Sequence, residues 1–261
     1  MLAEHDGAAV LGGGTMLLPA LRRGERSLRH VIDLRHSGLS GVSCGPRGLV
    51  RVGAMTTYAE LARSPLSGRA AALTITARAV TGGAQLRNQA TIGGSACHAN
   101  PASDMPGCLV GAGARVVIQG LAGEGVVTEE EFFTGAFRTI LGHAEVVTGF
   151  LVPADQARVG YYKLKLAEGS WPIATATAVL GPAGTDMAAT VALGGVAAQP
   201  VRIDVSRAVT EDGVVEPTFT ELIRSAVAEP WTDELAPGSY RRQVSPVVAR
   251  RAVKNAIGVR P

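Results

Sequence analysis

Gln85-Leu86-Arg87-Asn88-Gln89-Ala90-Thr91-Ile92-Gly93-Gly94-Ser95-Ala96-Cys97-His98-Ala99-Asn100-Pro101-Ala102-Ser103-Asp104 is the stretch on which the reading of this chain turns. It gathers glycine, hydroxyl and amide groups into one polar run inside a protein that is 46% hydrophobic and 18% charged. Backbone N–H groups in such a run, close to buried strands, need acceptors, and a bound ligand would supply them. A second glycine cluster, Gly12-Gly13-Gly14-Thr15, follows the apolar run Ala8-Ala9-Val10-Leu11, which reads as a buried strand feeding a tight loop. Without Cβ atoms the main chain turns sharply and comes close to an anion, with several N–H groups aimed into one concavity. The Thr15 hydroxyl adds a donor. Taken singly, either loop also reads as a plain turn. Together they suit an extended ligand with a diphosphate better than one small anion. A Rossmann fingerprint fails because Leu17 stands where G-x-G-x-x-G needs glycine, and no Gly-Lys-Ser/Thr of a Walker loop is present.

Outward from these loops the chain alternates short apolar runs with helical stretches. Met16 to Arg23 suits a brief helical turn. His30 to Leu34, Leu49 to Ala54, Ala114 to Ile118 and Glu145 to Val152 read as strands, and Ala70 to Val80 as a helix. Thr57 with Glu60 has capping-box spacing, and Thr128 precedes Glu129-Glu130-Glu131 as a helix cap. Thr81 to Pro106 reads as loop-rich, with a helix over Gly107 to Ala112. Ala154 to Val159, with Pro153, Asp155 and Gln156, is the domain boundary suggested by composition. Beyond it, Gly160 to Leu166, Ile173 to Leu180 and Ala188 to Leu193 read as strands, and Phe219 to Val227 and Tyr240 to Ile257 as helices. Strands and helices mix without regular βα alternation, so the expected class is α+β.

Composition removes several functions. Lys+Arg minus Asp+Glu is 25 − 22 = +3, too little to make nucleic acid the default partner. The late cluster Arg241, Arg242, Arg250, Arg251, Lys254 and Arg260 reads as the wet face of a helix. Cys44, Cys97 and Cys108 form no CxxC pair, which suits a reducing cytoplasm and leaves this chain short of four cysteines for an iron–sulfur cluster. No apolar run approaches the ~20 residues of a membrane span. Cys97 and His98 lack a third ligand at a recognised spacing, so no metal site is expected, and His98 reads as a loop histidine bonded to its neighbours. No catalytic Ser/His/Asp or Cys/His set is legible.

Both loops, with Asn88 to Asp104, resemble the FAD-binding middle subunit of the molybdenum hydroxylases, the carbon monoxide dehydrogenase and xanthine dehydrogenase relatives. The similarity continues through Val50 to Thr57, Glu131-Phe132-Phe133, Tyr162-Lys163-Leu164, and Tyr240-Arg241-Arg242 with Arg250-Arg251-Ala252, nearly the whole chain. It implies a vanillyl-alcohol-oxidase (PCMH-type) FAD-binding domain over 1–153, with subdomains of about 1–50 and 51–153. A C-terminal α+β domain over 160–261 would carry a three-stranded sheet with helices. Family members usually carry a further stretch before the first loop, and this chain starts at Leu2-Ala3-Glu4-His5 within the expected helix. No cysteine-bearing insertion for a 4Fe–4S cluster is present.

By the resemblance, Val10, Leu11, Gly12, Gly13, Gly14, Thr15, Met16 and Leu17 wrap the FAD diphosphate. Thr91, Ile92, Gly93, Gly94 and Ser95 hold the other half of the cofactor. Asp104 lies near the ribityl chain, with a helix N-cap as its other role, and Pro106 follows in the first turn. Lys163 lies beside the flavin; otherwise it shares a solvated basic edge with Lys165. Thr81 and Val147 are further contacts or simple packing. The implied activity is electron relay: a molybdenum cofactor on a large subunit oxidises the substrate, 2Fe–2S clusters on a small subunit carry electrons, and FAD here passes them on. The implied assembly is a dimer of heterotrimers in the cytoplasm. Two other readings remain: a stand-alone flavin oxidoreductase resembling UDP-N-acetylenolpyruvylglucosamine reductase, and a non-catalytic interaction module whose glycine loops are turns.

Overall fold

The computed structural model describes residues 2–5, 7–154, 158–182 and 187–258. Asp155 and Gln156 of the expected boundary, and Arg260 of the basic cluster, lie outside the described residues. The chain opens with β1 (Ala9–Leu11), α1 (Leu17–Arg22) and β2 (Val31–Asp33), the two strands pairing in parallel. Then come β3 (Val42–Cys44), β4 (Leu49–Gly53), α2 (Tyr58–Arg63), α3 (Ala71–Ala79), α4 (Gly83–Gln89), α5 (Ile92–His98) and α6 (Asp104–Ala112). The sequence continues as β5 (Arg115–Gly120), β6 (Gly123–Val127), α7 (Glu129–Phe132), β7 (Phe133–Gly135), β8 (Arg138–Thr139) and β9 (Val146–Pro153). The last third holds β10 (Arg158–Lys165), β11 (Pro172–Leu180), β12 (Ala189–Gly194), β13 (Val201–Asp204), β14 (Val209–Thr210), β15 (Gly213–Val214), α8 (Thr218–Ala226) and α9 (Gly238–Ile257).

Two antiparallel sheets organise the molecule: β3-β4-β9-β5-β6 and β10-β11-β12-β13. The second has four strands, not the three expected from sequence. Val201-Arg202-Ile203-Asp204 alternates with only Ile203 buried, the pattern of a short edge strand, and pairs with β12. Each sheet has its own core. Val50, Val52, Val116, Phe150 and Val152 anchor the first, with Leu73, Ile92 and Leu109 from the helices; Ala176, Leu180, Val191 and Leu193 anchor the second, with Phe219, Ile223 and Val248. α6 lies between them and all nine of its residues are buried. Beyond Asp104 at its start the helix is apolar or glycine all round, as full burial requires, and it approaches the second sheet through glycines. A Cβ on Gly107 would sit 3.2 Å from the Gly194 Cα, and one on Gly111 2.9 Å from the Thr177 Cβ. On the other face α9 presses on β10 so closely that a Cβ on Gly160 would fall 1.9 Å from the Ala252 carbonyl oxygen.

The stretch 81–106 is not loop-rich: it holds α4, α5 and the start of α6. Gly93 and Gly94 disfavour helix locally, at about 1 kcal/mol each relative to alanine, but Ile92 and Ala96 are fully buried and hold α5 in place. The wet-face reading of the C-terminal basic residues also needs correction. Arg241 is fully buried, while Arg242, Arg251 and Lys254 are exposed as expected.

Both sequence-read caps form. Thr128 Oγ1 accepts from the Glu131 N–H at 3.2 Å and Glu131 Oε2 accepts from the Thr128 N–H at 2.8 Å; Thr57 and Glu60 do the same at 3.2 and 2.8 Å. Thr57→Ala is expected to cost about 1 kcal/mol in chemical denaturation. An unchanged midpoint would show that packing, not the cap, holds α2.

Candidate functional site

The two glycine segments meet. Gly12 lies so close to the start of α5 that a Cβ there would sit 2.9 Å from Thr91 Oγ1 and 3.9 Å from the Gly94 Cα. On Gly13 a Cβ would fall 2.0 Å from the carbonyl oxygen of Gln89, and Gly14 has φ 71° in the left-handed region. Only glycine meets all three demands.

Their amides are used differently. Among the described residues, the N–H groups of Gly12, Gly13, Gly14 and Thr15 donate to no protein acceptor. The second segment is the first turn of a helix whose donors are already taken. Ile92 N–H bonds to Thr56 O at 3.0 Å, Gly93 to Ala54 O at 2.8 Å, Gly94 to Thr91 Oγ1 at 3.1 Å and Ser95 to Thr91 O at 3.1 Å. This corrects the expectation that a ligand must supply acceptors to both loops. The first loop offers free amides; the second offers a flat glycine surface against which the first can pack.

An open cavity of about 850 Å³ runs along this junction, within the ~300–1,000 Å³ of small-molecule and cofactor sites. Val10, Leu11, Gly12, Gly13, Gly14, Thr15, Met16 and Leu17 line it, and so do Thr81, Thr91, Gly93, Gly94, Ser95, Asp104 and Val147. Two expected residues do not. Ile92 is fully buried in the first core, and Lys163 turns away into a buried ion pair. Lys163 is therefore no member of a solvated basic edge either. Its side chain is 10% exposed, and Nζ donates to Asp104 Oδ1 at 3.1 Å and to the Ala79 carbonyl at 2.6 Å.

Asp104 is the first residue of α6, after Ser103 as N-cap, and accepts a second bond from the Tyr161 hydroxyl. Burial raises its carboxyl pKa above the usual range, while Lys163 and the Tyr161 hydroxyl pull it down. Burial and the Asp104 charge hold the Tyr161 hydroxyl well above its ordinary value, so it stays a proton donor. A Lys163→Met chain strands the carboxylate, at about 3 kcal/mol near neutral pH. The sign follows from linkage. An acid with a raised folded pKa contributes stability below its unfolded pKa and loses it as pH rises through the folded value. Removing Lys163 raises that pKa further, so the penalty should be small in acid and grow with pH. Denaturant melts of both chains across pH check this; a penalty larger in acid would contradict it.

Several lining residues gave no warning in the sequence. Tyr58, Phe137 and Trp171 reach the wall from separate elements, and the Tyr58 hydroxyl bonds Ser95 Oγ. His98 closes α5 instead of sitting in a loop. Its Nε2 is buried without a partner, its ring meets Phe137 edge-on at 5.3 Å, and burial lowers its pKa, keeping it neutral. Among the described residues no His/Cys/Asp/Glu group is placed to hold a metal, and no helix is long and apolar enough to cross a membrane. Free amides beside a glycine face, a carboxylate acceptor and an unpaired imidazole nitrogen fit a dinucleotide, with donors for phosphate and acceptors for hydroxyl or amino groups.

Comparison with known proteins agrees. Residues 1–155 match the family described as FAD binding domain in molybdopterin dehydrogenase. The carbon monoxide dehydrogenase medium chain of Afipia carboxidovorans is 28% identical over 258 residues, covering 96% of this chain and 89% of that one. The glyceraldehyde dehydrogenase medium chain of Sulfolobus acidocaldarius is 29% identical, covering 97% and 92%. Among solved structures, reconstituted CO dehydrogenase from Oligotropha carboxidovorans superposes with a TM-score of 0.87 at 27% identity, covering 98% of this chain and 91% of that one. With the cavity between its glycine segments, the chain belongs to this family as the FAD-binding medium subunit of a molybdenum hydroxylase, an oxidoreductase.

Proposed function

We propose that this subunit holds FAD along the 850 Å³ cavity, with the diphosphate on the amides of Gly12, Gly13, Gly14 and Thr15. The observation that carries this is the set of consecutive N–H groups without protein acceptors. Charge-assisted bonds to such donors are the strong class, about 1.5–3 kcal/mol each. Thr91, Gly93 and Gly94 back the loop, and Asp104 accepts from the ribityl hydroxyls. Lys163 acts one step removed, as counter-charge to Asp104. The fold is then the vanillyl-alcohol-oxidase type, with an FAD-binding domain over 1–153 and a C-terminal domain over 160–261, a division supported by the two separate cores. Within the first domain, the pairing of β3 with β4 supports an inner boundary before Val42 in preference to one at about residue 50.

When bound, flavin supplies the step between one-electron iron–sulfur donors and an external acceptor. The chain's own residues bind and orient it and do not touch the substrate. Partners of this kind are a large molybdopterin-binding subunit and a small 2Fe–2S subunit in a dimer of heterotrimers, in the cytoplasm. The protein purified with its accompanying chains should contain about one FAD per copy of this chain, together with iron and molybdenum. A chain that purifies alone and turns over NADPH on a substrate of its own would favour the stand-alone oxidoreductase. One that takes up no flavin would favour the interaction module.

A further inference from the structure

Glu129, Glu130 and Glu131 stand in a row and do different things. Glu131 closes the capping box on Thr128 at 2.8 Å. Glu129, with its side chain 5% exposed, accepts from Arg202 Nη1 at 3.1 Å, an ion pair that joins α7 to β13 of the second sheet. Glu130 is exposed and, among the described residues, pairs with no cation.

Glu129 and Glu130 line a groove of about 610 Å³ that shares no lining residue with the cofactor cavity. Val110 belongs to its wall, six residues along α6 from Asp104, or about 9 Å. Much of the remaining wall is small and apolar: Ala197, Ala198 and Pro200 from the turn between β12 and β13, and Ala226 and Ala228 at and after the end of α8. Glu229 comes next, exposed and, among the described residues, also without a cation.

Arg202, the basic residue of the wall, is already committed. Besides bonding Glu129 it meets the C-terminal end of α6, where a Cβ on Gly113 would lie 3.9 Å from its Nη1. A helix dipole favours a cation at that end. Glu130 and Glu229 therefore leave the groove with two uncompensated negative charges. The N–H groups of Ala197, Ala198 and Gln199 donate to no acceptor among the described residues, and offer backbone donors to the carbonyls of an extended chain. An apolar floor with carboxylates and open backbone donors suits a peptide segment carrying lysine or arginine. The stem of such a side chain lies on the alanines while its head reaches the carboxylates. We propose that this groove receives a basic segment of an accompanying subunit, and so forms a docking site at the end of α6 remote from the cofactor cavity. This rests on the multisubunit reading and adds to it the place and the chemistry of one contact.

The test measures binding of the full, flavin-loaded chain to the other subunits of its complex by biolayer interferometry, at low and high salt. Glu130→Gln combined with Glu229→Gln is expected to raise Kd about fivefold at low salt and to flatten its salt dependence. Glu130→Lys combined with Glu229→Lys should raise it about 50-fold, because like charges would then face each other. Ala198→Trp fills the groove without changing charge and should weaken binding about tenfold at both salt concentrations. Flavin content should stay at the parent value in all of these. Asp212→Lys, in the exposed turn between β14 and β15, should bind like the parent protein. Parent-like binding by the glutamine pair or by Ala198→Trp would overturn the assignment, and so would equal weakening by Asp212→Lys. A dimer of the chain alone that the lysine pair breaks would make a second copy the occupant and overturn it too. If the parent protein binds no accompanying subunit, the multisubunit reading itself falls, and this inference with it.

Discussion

Gly13→Ala is expected to abolish flavin loading. The added Cβ would lie 2.0 Å from the Gln89 carbonyl oxygen and 2.8 Å from its carbon, both backbone atoms that cannot rotate away. The 12–15 loop must then lift off the start of α5. Overpacking of this kind costs about 1–3 kcal/mol in the empty protein, which the fold survives. The larger loss is in binding. Two misdirected amides, at about 1.5–3 kcal/mol each against an anion, lower FAD affinity by at least about 100-fold. Gly125→Ala is the control, since a Cβ there meets nothing within 4 Å. Its flavin content should match the parent protein. Equal flavin content in Gly13→Ala would show that the loop is not a phosphate cradle.

Arg241→Met should be the most damaging single change to stability. The guanidinium is fully buried and bonds the carbonyls of Ile173 and Gly195, the Ala236 carbonyl at 3.3 Å and the Asp233 carboxylate. It thereby ties the start of β11, the turn after β12 and the segment before α9 to one point. Methionine fills much of the volume but takes the guanidinium from the carbonyls of Ile173, Gly195 and Ala236 and the cation from the Asp233 carboxylate, which keeps its bonds from Trp231, Leu235 and Ala236. Breaking a buried charge network by removing one partner costs about 3–5 kcal/mol, or a drop on the order of 10 °C in Tm for a chain of this size. Arg242→Met, on the exposed face one residue on, should stay within about 0.5 kcal/mol. Equal Tm values for the two variants would mean that the network contributes nothing.

At Arg241 two signals in the sequence oppose each other, charge and helical period. Read as one of six late basic residues, it falls on a wet helix face. Read by helical period, it shares a face with Ser245, Val248, Ala249, Ala252 and Ala256, all buried. The period pointed inward, and charge obscured it. Val201 to Asp204 is similar, a legible alternation too short to stand out. Strands and caps were readable because their signals are local: β4, β9 and both capping boxes depend on residues within a few positions. α5 was not readable, because Gly93 and Gly94 oppose a helix locally and tertiary burial of Ile92 and Ala96 overrides them.

The site was half legible for the same reason. Consecutive glycines after a strand announce a backbone-lined concavity, and Gly12, Gly13 and Gly14 do line it. That the Thr91–Ser95 amides are spent on Ala54, Thr56 and Thr91 depends on a neighbouring strand end that no local pattern reveals. Phe137 and Trp171 arrive from hairpins dozens of residues away, and Lys163 points into an ion pair that needs Asp104 beside it. Side chains brought together by sheet register leave no mark in spacing.

The most direct measurement is amide NMR of the 15N-labelled chain, following Gly12, Gly13, Gly14 and Thr15 during addition of FAD, ADP and riboflavin. Donation to phosphate oxygens should move these four proton resonances downfield with FAD and with ADP, and leave them in place with riboflavin, which has no phosphate. Shifts confined to the second glycine segment, or the same response to riboflavin, would contradict the account.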